Sequence, residues 1–341
     1  MSEVSYLQWL VNETPTSWWH DSGDPAELSF ALSHGATGVT TNPVLLRTTL
    51  NNSSDLWQEA MNESEKGDAD SLPQDELRMR TVIQYAAGQL QPRYEQTQGR
   101  QGYVCAQVNP ALAGNRDAMM DMARRFNGWA PNIAVKLPAT AAGLDVLEEC
   151  VAEGMTVAST VSFTVAQVLA AAERHCLGLE RAKQAGHPTG RCFVVIMIGR
   201  IDDYLSEVAC DSKANIADDD LRQAGIAISR RAYMLLREND YEAVLLIAAL
   251  RGAYHMLALA GADIVMSIHP RYQAMLLKPG VPRDPNRIDI PVTADVIERL
   301  ASLPEFVKAY EPNGMSDRDF ITYGVAQKTL SQFYAAGWAM L

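Results

Sequence analysis

Short apolar runs alternate with longer amphipathic segments along most of the chain. The apolar runs, often β-branched, predict buried strands, and the segments between them have the three- and four-residue apolar spacing of helices. Eight strands are predicted, over residues 17–20, 38–42, 102–108, 133–137, 156–161, 192–198, 243–250 and 263–268. The predicted helices cover residues 25–33, 43–66, 74–89, 115–126, 142–152, 165–185, 218–237, 251–260, 293–309 and 316–339.

Eight strands, each followed by a helix, predict an α/β fold of the (β/α)8 TIM-barrel type. A doubly wound open sheet is the alternative, but no GxGxxG or GxxxxGK[ST] motif follows a predicted strand, which disfavours its nucleotide-binding forms. Two polar stretches are predicted as loops, residues 63–74 and the segment after Arg200. No repeat or composition shift marks a boundary, so one domain over residues 1–341 is expected, with extra helices that include a C-terminal helix packed on the barrel.

Composition and charge narrow the class of protein. The chain has 341 residues, 48% hydrophobic and 21% charged, which is typical of a globular protein. Its five widely spaced cysteines contain no CxxC pair, which predicts free thiols in a reducing compartment. With no visible secretory signal and no apolar run of membrane-spanning length, a cytoplasmic protein without a membrane partner is expected. The net charge of −12 disfavours nucleic acid and requires local arginines for any anionic substrate.

Lys136 lies within the apolar run Ile133–Leu137 of the fourth predicted strand, a position where an unpaired lysine is unusual. In a buried position the ammonium form is disfavoured, so the neutral amine can attack a carbonyl and form a Schiff base. The alternative is a lysine at a strand end whose amine reaches solvent.

Catalytic residues of such barrels lie at the carboxyl ends of the strands. An acid there, Asp21, could carry protons for Lys136, and two arginines could hold a phosphate. Each residue alone has a structural alternative: Asp21 as a turn cap, Asn42 as half of a turn dipeptide with Pro43, the arginines as partners of surface carboxylates. Their convergence favours a site. The polar residues at these ends are Asp21, Thr41, Asn42, Gln107, Asn109, Lys136, Thr160, Ser162, Arg200, Arg251, Ser267 and His269.

Two segments resemble the transaldolase family, which includes the fructose-6-phosphate aldolase branch. Residues 35–46 read GATGVTTNPVLL and residues 133–144 read IAVKLPATAAGL. The first is similar to the family's T-T-N-P strand end, and the second to its Schiff-base lysine segment. Residues 20–24 and 198–202 resemble the ends of the family's first and sixth strands, and order and spacing hold from about residue 16 to 277.

The resemblance implies a lysine Schiff-base reaction on sugar phosphates that needs no metal or other cofactor. A dihydroxyacetone-like ketol unit would stay on the lysine and pass to an acceptor aldose phosphate, as in the pentose phosphate pathway. The implied catalytic set is Lys136 as the imine-forming amine, Asp21 as acid and base, Thr160 as a holder of the catalytic water, and Gln107. The predicted substrate contacts are Asn42 for a donor hydroxyl, Arg200 and Arg251 for the phosphate, and Thr41 and Ser162 at two strand ends.

Departures from the family pattern concern the donor. Gln107 replaces the usual glutamate and is similar to the fructose-6-phosphate aldolase branch, whose strand-six tyrosine is Met197 here. Ala158 and Val195 replace an asparagine and a serine that contact donor hydroxyls in the family. Each lost partner costs about 1–3 kcal/mol, so a less hydroxylated donor, or weak activity on standard sugars, is expected. An aldolase that releases the donor, and an impaired sugar-phosphate-binding barrel, remain alternatives, and a homo-oligomer is left open.

Overall fold

Eight parallel strands close into a barrel in chain order in the computed structural model, which describes residues 4–52, 54–68 and 72–341. The strands are β1 (Ser17–His20), β2 (Gly38–Val39), β3 (Tyr103–Gln107), β4 (Ile133–Pro138), β5 (Val157–Thr160), β6 (Cys192–Met197), β7 (Val244–Ala248) and β8 (Val265–Ile268). Pairing of β1 with β8, with Ser17 beside Val265, closes the ring. The predicted barrel is therefore confirmed, and the open-sheet alternative is wrong.

Helices surround the barrel and extend beyond its last strand. They are α1 (Tyr6–Glu13), α2 (Pro25–Ser33), α3 (Pro43–Asn52), α4 (Ser54–Asp68), α5 (Gln74–Gln96), α6 (Arg116–Asn127), α7 (Ala141–Ala152), α8 (Val165–Ala185), α9 (Ile198–Ser212), α10 (Asp218–Leu221), α11 (Ala224–Glu238), α12 (Ala253–Leu259), α13 (Pro270–Leu276), α14 (Ala294–Leu300), α15 (Pro304–Tyr310), α16 (Asp317–Phe320) and α17 (Gly324–Ala335). Among the described residues, none of these helices is long and apolar enough to cross a bilayer.

Both predicted loops are helical over a large part of their length. The segment after Arg200 is α9, which begins at Ile198 and buries Ile201, Leu205 and Ala209 on one face. This four-residue spacing is that of an amphipathic helix, and the polar residues between these positions concealed it in the sequence. The predicted loop 63–74 is helical as far as Asp68, because its first six residues are polar but include no proline and can remain helical. Its residues 69–71 lie outside the described part of the chain.

Large aromatic side chains fill the amino-terminal half of the barrel. The ring centroid of Trp19 lies 4.6 Å from that of Phe193 and edge-on to it, and the ring centroid of Tyr103 lies 5.6 Å from that of Phe193. A Cβ on Gly38 would lie 2.6 Å from the Trp19 ring, so only glycine leaves room for this tryptophan. The aromatic cluster closes this end, and the polar residues gather at the other.

The C-terminal segment packs across the open end of the barrel. The predicted helix 316–339 is divided into α16 and α17, but its packing on the barrel is as expected. The Arg47 side chain donates to the carbonyl of Ala336 at 3.2 Å, and Trp338 Nε1 donates to Asp75 at 2.5 Å. These contacts hold the end of α17 beside α3 and α5, close to the carboxyl ends of the strands.

Candidate active site

A cavity of about 340 Å³ opens at the carboxyl ends of the strands. Six of the nine predicted site residues line it: Asp21, Asn42, Lys136, Thr160, Arg200 and Arg251. The other three, Thr41, Gln107 and Ser162, are buried beside it. The barrel therefore brings together an amine, a carboxylate and two guanidinium groups that are far apart in the sequence.

Lys136 is 6% exposed, and its amine stays inside the barrel. The Nζ atom donates to the carbonyl oxygen of Thr41 at 3.0 Å. Gln107 is its Cα neighbour on β3, and Ala158 its neighbour on β5. The alternative of a lysine that reaches solvent is therefore wrong. The partner is a neutral carbonyl rather than a carboxylate, so the contact positions the amine without an ion pair.

Asp21 directly follows β1 and is held by a chain of hydroxyl groups. Its Oδ1 accepts from Thr40 Oγ1 at 2.8 Å, and the same Thr40 oxygen lies 2.5 Å from Ser267 Oγ. A hydroxyl has one proton to give, so Thr40 donates to the carboxylate and Ser267 donates to Thr40. The role of Thr40 was not predicted from the sequence. Thr40 lies two residues after Gly38, and this spacing places both on the same face of the strand, toward the barrel interior.

Thr41 and Asn42 serve the backbone around the cavity. Thr41 Oγ1 donates to the carbonyl of Cys105 at 2.8 Å, away from the cavity. Asn42 Oδ1 accepts from the N–H groups of Val44 and Leu45, at 3.0 and 3.1 Å, as a helix N-cap does. Its oxygen is occupied in this way, so a ligand would meet the amide N–H donors of Asn42.

Two buried polar atoms near Lys136 lack a hydrogen-bond partner among the described residues. They are Gln107 Oε1 and Thr160 Oγ1, and each residue is at most 2% exposed. Leaving such an atom unpaired costs about 1–3 kcal/mol. Both atoms are therefore available to a substrate hydroxyl or a water in the same region as the amine.

Backbone strain occurs at two strand ends that border the cavity. Val161, between Thr160 and Ser162, has φ +53°, and Ala249, after β7, has φ +57°. Each costs on the order of 1–3 kcal/mol for a non-glycine residue and persists only where its surroundings hold it. Gln167 holds the first by donating to the carbonyl of Val161 at 3.0 Å. The carbonyl of Ser162 accepts from the Met197 N–H at 2.9 Å.

The two arginines lie on one side of the cavity in different surroundings. Arg200 donates to Gln332 Oε1 at 2.6 Å, and its guanidinium lies 5.1 Å from the centroid of the Phe333 ring. Burial, and after it the charge of Arg251, lower the pKa of Arg200 to about 10, against the opposing carboxylates of Asp203 and Asp21. Arg200 therefore stays protonated at neutral pH, and an anion bound to Arg200 and Arg251 together would offset the repulsion between the two guanidinium groups.

Arg251 has a carboxylate partner, as the structural alternative expected. Its Nε and Nη2 donate to Asp203 Oδ2 at 3.0 and 2.7 Å, and its Nη1 to the carbonyls of Ala249 and Leu250 at 2.8 and 3.2 Å. An arginine has five N–H donors. A phosphate on Arg251 would therefore meet the second N–H of Nη2 or replace Asp203.

The sequence profile of the family described as Transaldolase/Fructose-6-phosphate aldolase matches residues 18–336. The chain belongs to the transaldolase/fructose-6-phosphate aldolase family. The resemblance expected from the lysine and T-T-N-P segments is thereby confirmed.

Curated relatives in the transaldolase family are of modest identity. Transaldolase 1 of Streptomyces avermitilis is 30% identical over 254 residues, which are 69% of this chain and 64% of that protein. The transaldolase of Mycobacterium ulcerans is 31% identical over 232 residues, 64% of this chain and 58% of that protein. That of Mycobacterium tuberculosis is 29% identical over 228 residues, with the same shares of 64% and 58%. The chain therefore matches 58–64% of the length of these relatives.

Apolar side chains form one wall of the cavity in this transaldolase-family chain. Met197 and Ala248 are Cα partners on β6 and β7, and both line it. Ala158 and Val195 are almost fully buried below this wall. A ligand hydroxyl that faces this side would find no side-chain hydrogen-bond partner on these four residues.

A larger cavity, of about 730 Å³, lies beside α11. Three arginines of that helix border it: Arg230, Arg231 and Arg237. Arg231 is paired with Glu311 at 3.0 Å, and Arg230 donates to the carbonyls of Ala258 and Arg287 at 2.7 and 2.9 Å. The described residues around it include no lysine, cysteine or histidine, so the smaller cavity is the candidate active site.

Proposed function

We propose that this chain is a transaldolase-type transferase that moves a dihydroxyacetone-like ketol unit between sugar phosphates. The observation that carries the proposal is a buried amine, Lys136, that lines the same cavity as Asp21, Arg200 and Arg251. A barrel that only bound sugar phosphates would have no use for a buried amine in a cavity that also contains a carboxylate. The 29–31% identical transaldolases support the same reaction class.

The reaction begins with addition of Lys136 Nζ to the ketose carbonyl. The carbinolamine loses water and becomes a protonated imine, which is the electron sink for the next step. Asp21 takes the proton of the hydroxyl on C4 as the C3–C4 bond breaks. The bonding electrons move into the imine and form an enamine, and the aldose phosphate leaves.

The second half reverses these steps with another aldehyde. The enamine carbon attacks the acceptor carbonyl, Asp21 returns its proton to the new oxyanion, and water hydrolyses the imine to free the product and the amine. Thr160 Oγ1 and Gln107 Oε1, both buried without a hydrogen-bond partner among the residues that the structure describes, are suited to hold that water or a donor hydroxyl. Asn42 offers its amide donors to the same ligand.

Arg200 and Arg251 bind the phosphate of both substrates. Both arginines line the cavity, and a phosphate accepts hydrogen bonds from two guanidinium groups at once. The phosphate end thereby fixes the distance from the anion to the carbonyl that Lys136 attacks. Positioning of this kind accounts for much of the rate of a bimolecular reaction.

A second candidate is an aldolase of the fructose-6-phosphate aldolase type, which releases the donor ketone. Gln107 favours it, since that branch shares the glutamine. Met197 disfavours it, since the branch has a tyrosine there. Product analysis separates the two: an aldolase yields free donor ketone without an acceptor, whereas a transferase turns over only when an acceptor aldehyde is added.

The test of the Schiff base is borohydride trapping. Hydride adds to the imine carbon and leaves a stable secondary amine, so the labelled residue can be mapped by peptide mass. Fructose 6-phosphate, dihydroxyacetone and hydroxyacetone form the panel, and we expect the adduct on Lys136. The variant Lys136→Met is expected to give none, while Lys183→Met, which removes an exposed lysine on α8, should label as wild type.

A folded wild-type protein that forms no adduct with any of these ketones would refute the Schiff-base proposal. An adduct that persists in Lys136→Met would refute the assignment to this residue. Trapping of ketones without turnover in the presence of several acceptors would favour the impaired binding barrel.

A further inference from the structure

A buried carboxylate and imidazole lie directly behind the phosphate side of the candidate site. Asp202 Oδ2 is 2.8 Å from His255 Nε2, and their side chains are 7% and 0% exposed. Asp202 Oδ1 accepts from the Gly225 N–H at 2.8 Å. Neither residue lines the cavity, so neither can touch a substrate there.

The second imidazole nitrogen connects this pair to Arg251. The backbone N–H of Arg251 donates to His255 Nδ1 at 3.2 Å. A nitrogen that accepts a hydrogen bond carries no proton, so the proton of the neutral ring is on Nε2 and is donated to Asp202. Burial raises the pKa of Asp202, and the bonds from His255 and Gly225 oppose this rise. The carboxylate thus fixes the tautomer that receives the Arg251 N–H.

The backbone at this place needs such support. Ala249 has φ +57°, a left-handed conformation that costs a non-glycine residue free energy unless its neighbours impose it. The Arg251 guanidinium returns to the carbonyl of Ala249 at 2.8 Å. Two contacts therefore hold the turn 249–252. The Arg251 guanidinium binds the carbonyl of Ala249, and His255 Nδ1 accepts the backbone N–H of Arg251.

One helix, α9, connects both arginines. It carries Arg200, whose guanidinium lines the cavity, Asp203, which binds the Arg251 guanidinium, and Asp202, which orients His255 behind the Arg251 backbone. A shift of the Arg251 main chain would move its guanidinium relative to Arg200. The affinity for a phosphate that binds both guanidinium groups would depend on the distance between them.

We propose that Asp202 and His255 are positioning residues that set Arg251 for phosphate binding. The inference rests on the proposed phosphate role of Arg251. It predicts a loss confined to phosphorylated ligands, because Lys136 and Asp21 are held by other contacts, to Thr41 and Thr40.

The test compares His255→Asn with His255→Gln. An asparagine amide oxygen takes the place of Nδ1 and can still accept the Arg251 N–H, whereas the glutamine group takes the place of Nε2 and cannot. The probes are inorganic phosphate, as an inhibitor of fructose 6-phosphate turnover, and dihydroxyacetone, as a phosphate-free ketone for borohydride trapping. Arg251→Ala is the reference, and Asp211→Asn, an exposed change on α9, is the control.

Loss of one hydrogen bond changes affinity about tenfold. We expect phosphate inhibition to weaken by about that factor in His255→Gln and by less than about threefold in His255→Asn, with dihydroxyacetone trapping unchanged in both. Equal losses on both probes, or an unchanged inhibition constant in His255→Gln, would overturn the proposal. If His255→Gln does not fold, His255→Asn decides. A loss of phosphate inhibition in His255→Asn as large as in Arg251→Ala overturns the proposal, and retained phosphate inhibition supports it. A wild type that phosphate does not inhibit would instead reject the phosphate subsite itself.

Discussion

Thr40 donates its hydroxyl proton to the carboxylate of Asp21 over 2.8 Å. The bond joins the ends of β1 and β2, and Ser267 on β8 extends it by a further hydroxyl at 2.5 Å. The next residue, Thr41, faces the opposite way and donates to Cys105. The two adjacent threonines therefore have different roles: Thr40 binds the Asp21 carboxylate, and Thr41 binds the backbone of the neighbouring strand β3.

We expect Thr40→Val and Thr41→Val to separate these tasks. Valine keeps the shape and removes the hydroxyl, so Thr40→Val frees the Asp21 carboxylate to rotate and is expected to lower kcat about tenfold. Thr41→Val keeps the main-chain carbonyl that Lys136 contacts. It is expected to cost about 1 kcal/mol of stability with kcat near wild type. Steady-state kinetics and thermal unfolding of both variants measure the difference. If Thr41→Val lost activity as Thr40→Val does, Thr41 would have the substrate-binding role that its position at the strand end predicts.

Gln332 and Phe333 on α17 are expected to contribute to phosphate affinity through Arg200. Gln332 accepts from its guanidinium and Phe333 lies beneath it, and a partly buried guanidinium without these partners would take other conformations. Gln332→Leu is expected to raise KM for fructose 6-phosphate about five- to tenfold and to leave dihydroxyacetone trapping unchanged. Ser331→Ala, an exposed neighbour on the same helix, is the control. An unchanged KM would mean that Arg200 needs no help from α17.

The barrel was predictable because its strands repeat one signal eight times, and the chain order of pairing follows from the right-handed βαβ connection. The helix α1 was not predicted, although Ser5 and Gln8 form the capping box that marks its start. The helix α9 was missed because its buried residues are separated by acids and hydroxyls. The polar composition of this segment suggested a loop, whereas the spacing of its apolar residues indicated a helix.

Parts of the site could not be predicted, because they depend on contacts between distant segments. Thr40 and Ser267 are 227 residues apart, and Arg200 and Gln332 are 132 apart. The rule that functional residues gather at the carboxyl ends of the strands was enough to place Lys136, Asp21 and the two arginines at one cavity. It does not predict how a terminal helix packs, so the aromatic residues of α17 could not be assigned to the cavity rather than to the core.

The apolar wall formed by Met197 and Ala248 predicts a preference among donors. We expect hydroxyacetone, which lacks one hydroxyl, to trap at least as well as dihydroxyacetone in the wild type. Ala248→Ser would place a hydroxyl on this wall and is expected to raise the ratio of dihydroxyacetone to hydroxyacetone trapping by up to about tenfold. Competitive trapping with both ketones, read by peptide mass, gives the ratio directly. A wild type that strongly prefers dihydroxyacetone would show that backbone groups or Gln107 and Thr160 bind both hydroxyls.

His20 predicts how stability depends on pH. Burial first, and then the nearby His269, lower the pKa of His20 to about 4, against the opposing effects of Asp24 and the Gln273 contact. The unfolded chain binds this proton below its ordinary pKa of about 6.5, whereas the folded chain binds it only below about 4. The contribution of neutral His20 to the free energy of unfolding is therefore complete above pH 6.5 and is lost as the pH falls from 6.5 to 4. A difference of this size corresponds to about 3 kcal/mol.

His20→Asn isolates this contribution, because the asparagine oxygen can still accept from Gln273 Nε2, as Nδ1 does at 2.9 Å. We expect urea unfolding to show the wild type losing up to about 3 kcal/mol more than the variant between pH 7 and pH 4. Burial lowers the pKa of His175 as well, but that residue is present in both proteins and cancels in the comparison. Parallel stability curves for the two proteins across this pH range would mean that His20 is protonated as readily in the folded barrel as in the unfolded chain.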